Sequence, residues 1–316
     1  MTKKFLYLAM VALATTAFVA CGSDDDDNNN NNENGKQPVT IVPAKMASKA
    51  GKYQLQTPLT SENSKFKMNS VEIMDGGQVS FEMRDAETGK VDVIVADVEM
   101  RENIGYIKTN SNSRVQGQFE LETLGGTKAI EANHIKLNIT IDGAPYFTEE
   151  GSPAACVLQA VRDSKGGVLD YVAQKFQVNR MIIDLKGDVK AFKDIASANL
   201  AEIAKIAQDN GANLTDEEVK SFQKVISFVT VSRYGTIDIV YSDGKCDSGS
   251  WNWLNNQADK MNLWLKDKGM GNKFIPENTT VDLDFSGKQC AMKINATITG
   301  SKNYTASLTL VMTAVE

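Results

Sequence analysis

One histidine, His134, is all that 316 residues contain. A histidine-based triad therefore has at most one candidate member, and no G-x-S-x-G nucleophile elbow accompanies it. Cysteine is nearly as scarce. Cys21, Cys156, Cys246 and Cys290 are the whole set, and their spacing matches no zinc site. No D-x-D-x-D-G loop offers a calcium site. The glycines of "GMGNKF" (269–274) precede no phosphate-binding helix and read as a turn. The acids of "KGDVKAFKD" and "DLDF" read as solvated carboxylates on loops and outward strand faces. No basic patch exists, and the net charge is -6, against a nucleic-acid partner. Beyond the first 20 residues no apolar run is long enough for a transmembrane helix. These absences point to a non-enzymatic protein without cofactor or metal. A surface hydrolase is the least supported alternative.

What is present begins at the N-terminus. Lys3 and Lys4 precede an apolar run from Phe5 to Phe18, and Ala20 stands before Cys21. This is the pattern of a lipoprotein signal peptide over 1–20, cleaved before Cys21, which then carries acyl chains such as palmitate. Phe18 stands where Leu is usual, and an ordinary signal peptide with a chance cysteine is the alternative. Residues 21–45 follow as an acidic, Asn-rich tether with little to bury, expected to be disordered. A coil of this kind reaches about 5–6 Å × √n. Cys21 followed by Ser23 and Asp24 to Asp27 resembles the surface-export signal of Bacteroidetes lipoproteins. That resemblance implies a protein lipid-anchored to the outer membrane and facing outward; a plain spacer is the other reading.

The body contains an internal repeat. "VEIMDGGQVSFEMRD" from Val71 and "VTVSRYGTIDIVYSD" from Val229 align at an offset of 158, placing Val71, Gly77 and Asp85 on Val229, Gly235 and Asp243. "KLNITIDG" from Lys136 and "KINATITG" from Lys293 align at 157, with five of eight positions identical. Between them, Ile104 and Tyr106 fall on Met261 and Leu263. Ordered matches at a nearly constant offset argue for duplication. Each half reads as short alternating strands joined by turns. "SWNWLNNQADKMNLWL" also has helical spacing, but its counterpart alternates Val91, Val93 and Val95, which favours two strands with Trp251 and Trp253 on the first.

The expected fold class is mainly β with inserted helices (α+β), in two related antiparallel β-barrel or sandwich units, since closure removes exposed edges. The first β-domain is expected over 46–150, a connecting helix over 151–178, and the second β-domain over 179–316. A helical insertion at 190–226 puts Phe192, Ile195, Leu200, Ile203 and Ile206 on one face of a first helix; Thr215 and Glu218 are spaced as a capping box for the next. In a meander, Cys246 and Cys290 fall at opposite ends, a strand length of about 17–20 Å apart. A disulfide needs Cα atoms within about 7 Å, so Cys156, Cys246 and Cys290 are expected to be reduced thiols.

The stretch "YGTIDIVYSDGKCDSGSWNWLNNQADKMNLWL" resembles the lipocalin-like (calycin-like) lipoproteins of the Bacteroidetes, here as a tandem repeat. The similarity is best over 227–313 and weaker over 51–142, which lacks the Trp; the helical insertion departs from the family's pattern. The resemblance implies an up-and-down barrel with a small apolar ligand and no catalytic residues. Trp251, Trp253, Tyr241, Ile237 and Ile239 are then the candidate ligand pocket, for a small apolar or glycan-like molecule. Core filling is the competing reading of the same residues. A structural or partner-binding surface lipoprotein with solid barrels is the alternative function. Neither ligand identity nor oligomeric state is legible in the sequence.

Overall fold

The computed structural model describes residues 50–111, 113–122, 134–162, 168–209, 215–221, 223–254, 260–265, 280–298 and 303–315. The leader, Cys21 and the acidic tether lie outside them, as does most of the "NNQADK" turn.

The chain builds two closed antiparallel β-barrels of eight strands each. The first uses β1 (Gly51–Ser61), β2 (Ser64–Ile73), β3 (Gln78–Asp85), β4 (Val91–Arg101), β5 (Ile104–Ile107), β6 (Val115–Glu122), β7 (His134–Ile141) and β9 (Ala154–Leu158). Pairing of β6 with β7 and of β1 with β9 closes the ring, while β8 (Ala144–Phe147) pairs along the second half of β7. The second barrel uses β10 (Lys175–Gly187), β12 (Ile226–Val231), β13 (Thr236–Tyr241), β14 (Cys246–Trp253), β15 (Lys260–Leu265), β16 (Thr280–Ser286), β17 (Gln289–Ile298) and β18 (Tyr304–Ala314). It closes through β10 and β18, with β11 (Ala191–Ile195) alongside β10. Three short helices complete the described structure: α1 (Leu169–Val172), α2 (Leu200–Asp209) and α3 (Asp216–Ser221).

Strand alternation explains the ring. In "HIKLNITI", Ile135, Leu137, Ile139 and Ile141 are all buried, and the intervening residues are not. Side chains of period two give one dry and one wet face. The duplication is visible in the register. Val71 pairs with Phe81 and Ile73 with Val79; at an offset of 158, Val229 pairs with Ile239 and Val231 with Ile237. Both hairpins turn through a left-handed glycine, Gly77 (φ 82°) and Gly235 (φ 85°), where a side chain would be strained. "SWNW" and "KMNLWL" are paired strands, with Trp251 opposite Leu263.

The structure departs from the sequence reading in three places. Residues 151–178 do not form a connecting helix: 154–158 is β9, 175–178 opens β10, and among the described residues only 169–172 are helical. Cys156, turned into the core, and the backbone pairing of β9 to both β1 and β7 override the local helical pattern. The first unit therefore runs to 158, and the second takes in α1, whose Leu169 and Val172 belong to its core. Second, residues 191–195 are strand, so Phe192 is 71% exposed and does not share a face with Ile195, which is buried. The insertion is β11 followed by α2, whose Leu200, Ile203 and Ile206 do pack on the second core, and then α3. Third, the match of Ile104 to Met261 is one residue out. Gly105 pairs with Met100 as Met261 pairs with Trp253. A slip of one changes the face: Met261 is fully buried, whereas Ile104 and Tyr106 are only half-buried.

Cys156, Cys246 and Cys290 form no disulfide and are buried. Cys246 sits at the start of β14 opposite Val240, and Cys290 at the β16–β17 hairpin, the other end of the barrel. Burial pushes the Cys290 thiol up to about 12, helped by the nearby Asp284 carboxylate, and burial pushes Cys156 up to about 11. Both are poor nucleophiles at neutral pH.

The two barrels meet through the same hairpin of each repeat. Asp75 and Arg233 occupy equivalent positions at the offset of 158, and they pair with each other: Arg233 Nε lies 2.6 Å from Asp75 Oδ1. Around them, Thr236 Oγ1 donates to Glu72 Oε2 (2.7 Å) and Tyr234 donates to the Ala50 carbonyl (2.7 Å). Lys52 Nζ lies 2.7 Å from Thr236 Oγ1 and 3.3 Å from Glu72. Ser70, Glu72, Gln78 and Ser80 of the first barrel are buried, as are Thr230, Thr236, Asp238 and Ser248 of the second. Val91 and Val93 are buried too, yet outside the first barrel's core, on the strand that packs against β14.

Candidate functional site

The structure brings the five residues of the expected pocket together inside the second barrel, as packed core. Trp251, Ile237, Ile239 and Tyr241 belong to one buried cluster, with Trp253 packed against it. Trp251 is completely buried; its ring meets that of Trp253 edge-on, 4.9 Å between centroids, and its Nε1 donates to the Ser232 carbonyl at 3.0 Å. That bond satisfies the indole N–H that burial would otherwise strand. Tyr241 donates to Asp247 Oδ2 at 2.6 Å, and Lys224 Nζ stands 4.4 Å over its ring. Burial, with the Asp247 carboxylate, raises the Tyr241 phenol well above its ordinary range. His134 opens β7, paired to Ala155 and Glu122.

A cavity of about 260 Å³ lies instead at the mouth of the first barrel, at the end away from the Asp75–Arg233 contact. Its floor is apolar: Phe66 from β2, Met83 from β3, Ile94 from β4, Ala144 and Tyr146 from β8. Alternation aims each of them inward, and all but Phe66 are buried. Tyr146 donates to the Phe66 carbonyl at 2.8 Å, bridging β8 to β2. Its phenol is raised by burial.

The rim is charged. Arg114 enters just before β6 and takes Asp142 through two hydrogen bonds, Nε to Oδ1 at 3.1 Å and Nη2 to Oδ2 at 2.6 Å. The same Nη2 donates to Asp92 Oδ2 at 2.8 Å. A two-pronged guanidinium–carboxylate pair fixes direction as well as charge. Asp142 reaches this position because the Asp142-Gly143 turn has both residues at positive φ, 49° and 83°, the tight hairpin geometry that Asp-Gly favours. The mouth thus has an apolar floor bordered by an oriented ion-pair cluster.

None of the mouth residues stood out in the sequence. They come from four separate strands and two connecting segments, and only ring closure brings them together. The one local signal was "IDGAPYF", a tight hairpin ending in two aromatics. No family model matches the chain, and no curated protein does.

Proposed function

We propose that this is a non-enzymatic lipoprotein, anchored to the outer membrane through acylated Cys21 and facing the cell exterior. In this reading it holds a small apolar or glycan-like ligand at the mouth of its first barrel. The membrane and export parts rest on the N-terminal sequence and on the resemblance to lipocalin-like lipoproteins of the Bacteroidetes. The ligand part rests on the mouth cavity, where Met83, Ile94 and Ala144 form an apolar floor beneath Arg114 and its two carboxylates. The dense packing inside the second barrel supports the alternative of a partner-binding protein with no small ligand.

Native mass spectrometry of the freshly purified chain separates the two. The ligand reading expects an adduct lost on denaturation and absent from Ala144→Leu, which fills the mouth with three extra carbons. A bare chain mass in the parent protein would sink it in favour of the partner role.

The anchor has its own test. Metabolic labelling with a palmitate analogue is expected to mark the parent chain, and Cys21→Ala to abolish the label and release soluble protein. Persistent label on Cys21→Ala defeats the anchor. For outward display, protease shaving of intact cells is expected to remove the body, and replacing Asp24 to Asp27 with Ala to protect it.

A further inference from the structure

Barrel closure removes strand edges, but β11 lies outside the ring. It is the end strand of its sheet and pairs with β10 alone. That pairing runs from Met181 opposite Ile195 to Leu185 opposite Ala191 without a bulge, so the strand is regular along its far edge.

The parity of β10 shows which backbone groups lie on that edge. Asp188 N–H donates to the Asn303 carbonyl at 3.0 Å. The Asp184 carbonyl accepts from Ser307 Oγ at 3.5 Å, and the Lys186 carbonyl from Thr305 Oγ1 at 3.4 Å. Even-numbered residues there turn their backbone groups toward β18, and odd-numbered ones toward β11. Ile183 and Leu185 therefore bond Lys193 and Ala191, and the N–H and C=O of Phe192 and Asp194 point away from β10. Neither makes a backbone hydrogen bond beyond the β10 ladder among the described residues.

The side chains decide what can pair there. Phe192 is 71% exposed, the most exposed large apolar residue among those described. The helix α2 lies on the opposite face, where Lys193 reaches Glu202. Lys190 is exposed and has no ion pair among the described residues. Asp194 holds Arg180 through Oδ2 at 2.7 Å, which leaves Oδ1 open. Charges on an edge repel most strands. A second copy in two-fold, antiparallel register is the exception. Centred on Lys193 or on Asp194, such a pair sets like charges opposite each other, which is destabilising. Centred on Phe192, "KAFKD" (190–194) is its own complement. Phe192 then meets Phe192, and Lys190 of each copy meets Asp194 of the other. Residues 190, 192 and 194 share one parity, so this register uses the outward-pointing backbone groups.

We infer that β11 is a self-association edge, where two copies of the chain pair antiparallel about a two-fold axis at Phe192. Two-fold dimers are the commonest closed assembly. The Lys190–Asp194 pairs flank the two rings and set the register. Stable interfaces use about 20–30 residues a side, so a pair of five-residue strands is weak and forms as concentration rises. The mouth of the first barrel takes no part.

Sedimentation of the full chain is expected to show a monomer–dimer equilibrium. Phe192→Asp is expected to weaken it at least tenfold at unchanged circular dichroism, because the side chain is exposed. Lys190→Asp and Asp194→Lys each oppose like charges in their own homodimer and are expected to stay monomeric. An equimolar mixture of the two is expected to dimerise, since both cross-pairs are then opposite in charge. Cysteine trapping in a Cys21→Ser chain, whose other cysteines are buried, reads the register. Phe192→Cys is expected to crosslink to itself under mild oxidant, with Cα atoms about 5.5 Å apart. Asp194→Cys is expected not to, its two copies lying about 13 Å apart along the strands. A parent chain still monomeric at about 1 mM, the weak end of association, overturns the assignment. So does a dimer that tolerates Phe192→Asp, a charge-swapped mixture that stays monomeric, or ready crosslinking of Asp194→Cys.

Discussion

Trp251→Ala is expected to destabilise the protein by about 3–5 kcal/mol, the usual cost of truncating a fully buried large aromatic. Three losses combine. The ring is wholly buried, its Nε1 bond to the Ser232 carbonyl disappears, and the edge-on contact with Trp253 goes with it. The hairpin turn at Ser232 to Gly235 then loses its side-chain anchor and keeps only the backbone bond from residue 251 N–H to the Gly235 carbonyl. Trp253→Ala is expected to cost far less, since that ring is only half-buried at the edge of the cluster. All three tryptophans, Trp251, Trp253 and Trp264, are in β14 and β15. Tryptophan fluorescence therefore reports the second barrel alone, and urea titration followed at that signal measures the effect. A loss under 1 kcal/mol would show that the ring does not hold the core and would return it to the list of ligand contacts.

Arg233→Met is expected to produce the second large effect, and one that depends on pH. Asp75 is fully buried, and its Oδ2 has no partner. Burial raises its pKa above the ordinary value, and Arg233 pulls against that rise. A carboxyl whose folded pKa lies above its unfolded one stabilises the fold fully below the unfolded value, near 3.8. That contribution is lost as pH rises through the folded pKa. Without Arg233 the folded pKa climbs further, so the variant's deficit is expected to be small near pH 4 and to grow toward pH 7. Breaking one side of a buried pair costs about 3–5 kcal/mol once the remaining charge is uncompensated. Comparison with the parent at each pH cancels carboxylates that run the other way, such as Asp97. Asp75→Asn with Arg233→Met is expected to recover most of the loss at pH 7, since no buried charge remains. The pair joins the barrels, so the single variant is also expected to separate the fluorescence transition from that of circular dichroism, which reports both. A deficit that is larger in acid than at neutral pH contradicts this account.

The repeat, the strands and the ring closure were largely legible in the sequence, because strand alternation is a local signal and duplication prints it twice. Val71 to Asp85 and Val229 to Asp243 carry the same hairpin in letters and in register. The pairing of the tryptophan strand with its neighbour was legible for the same reason. Strand β9 was not. "AACVL" has no alternation of its own, and only pairing to β1 and β7 makes it a strand.

The tertiary structure alone decided which face of a strand meets what. Alternation separates two faces without naming their surroundings. Val91 and Val93 alternate as a strand should, yet they are buried outside the first barrel's core, and Ser70, Glu72, Thr230 and Asp238 are polar residues of strands that are buried as well. The Trp251 side chain became core because the ring closed around it, and the mouth exists only because distant strands converge. Local pattern determined what forms; long-range contact, which no short stretch encodes, determined where each side chain ends.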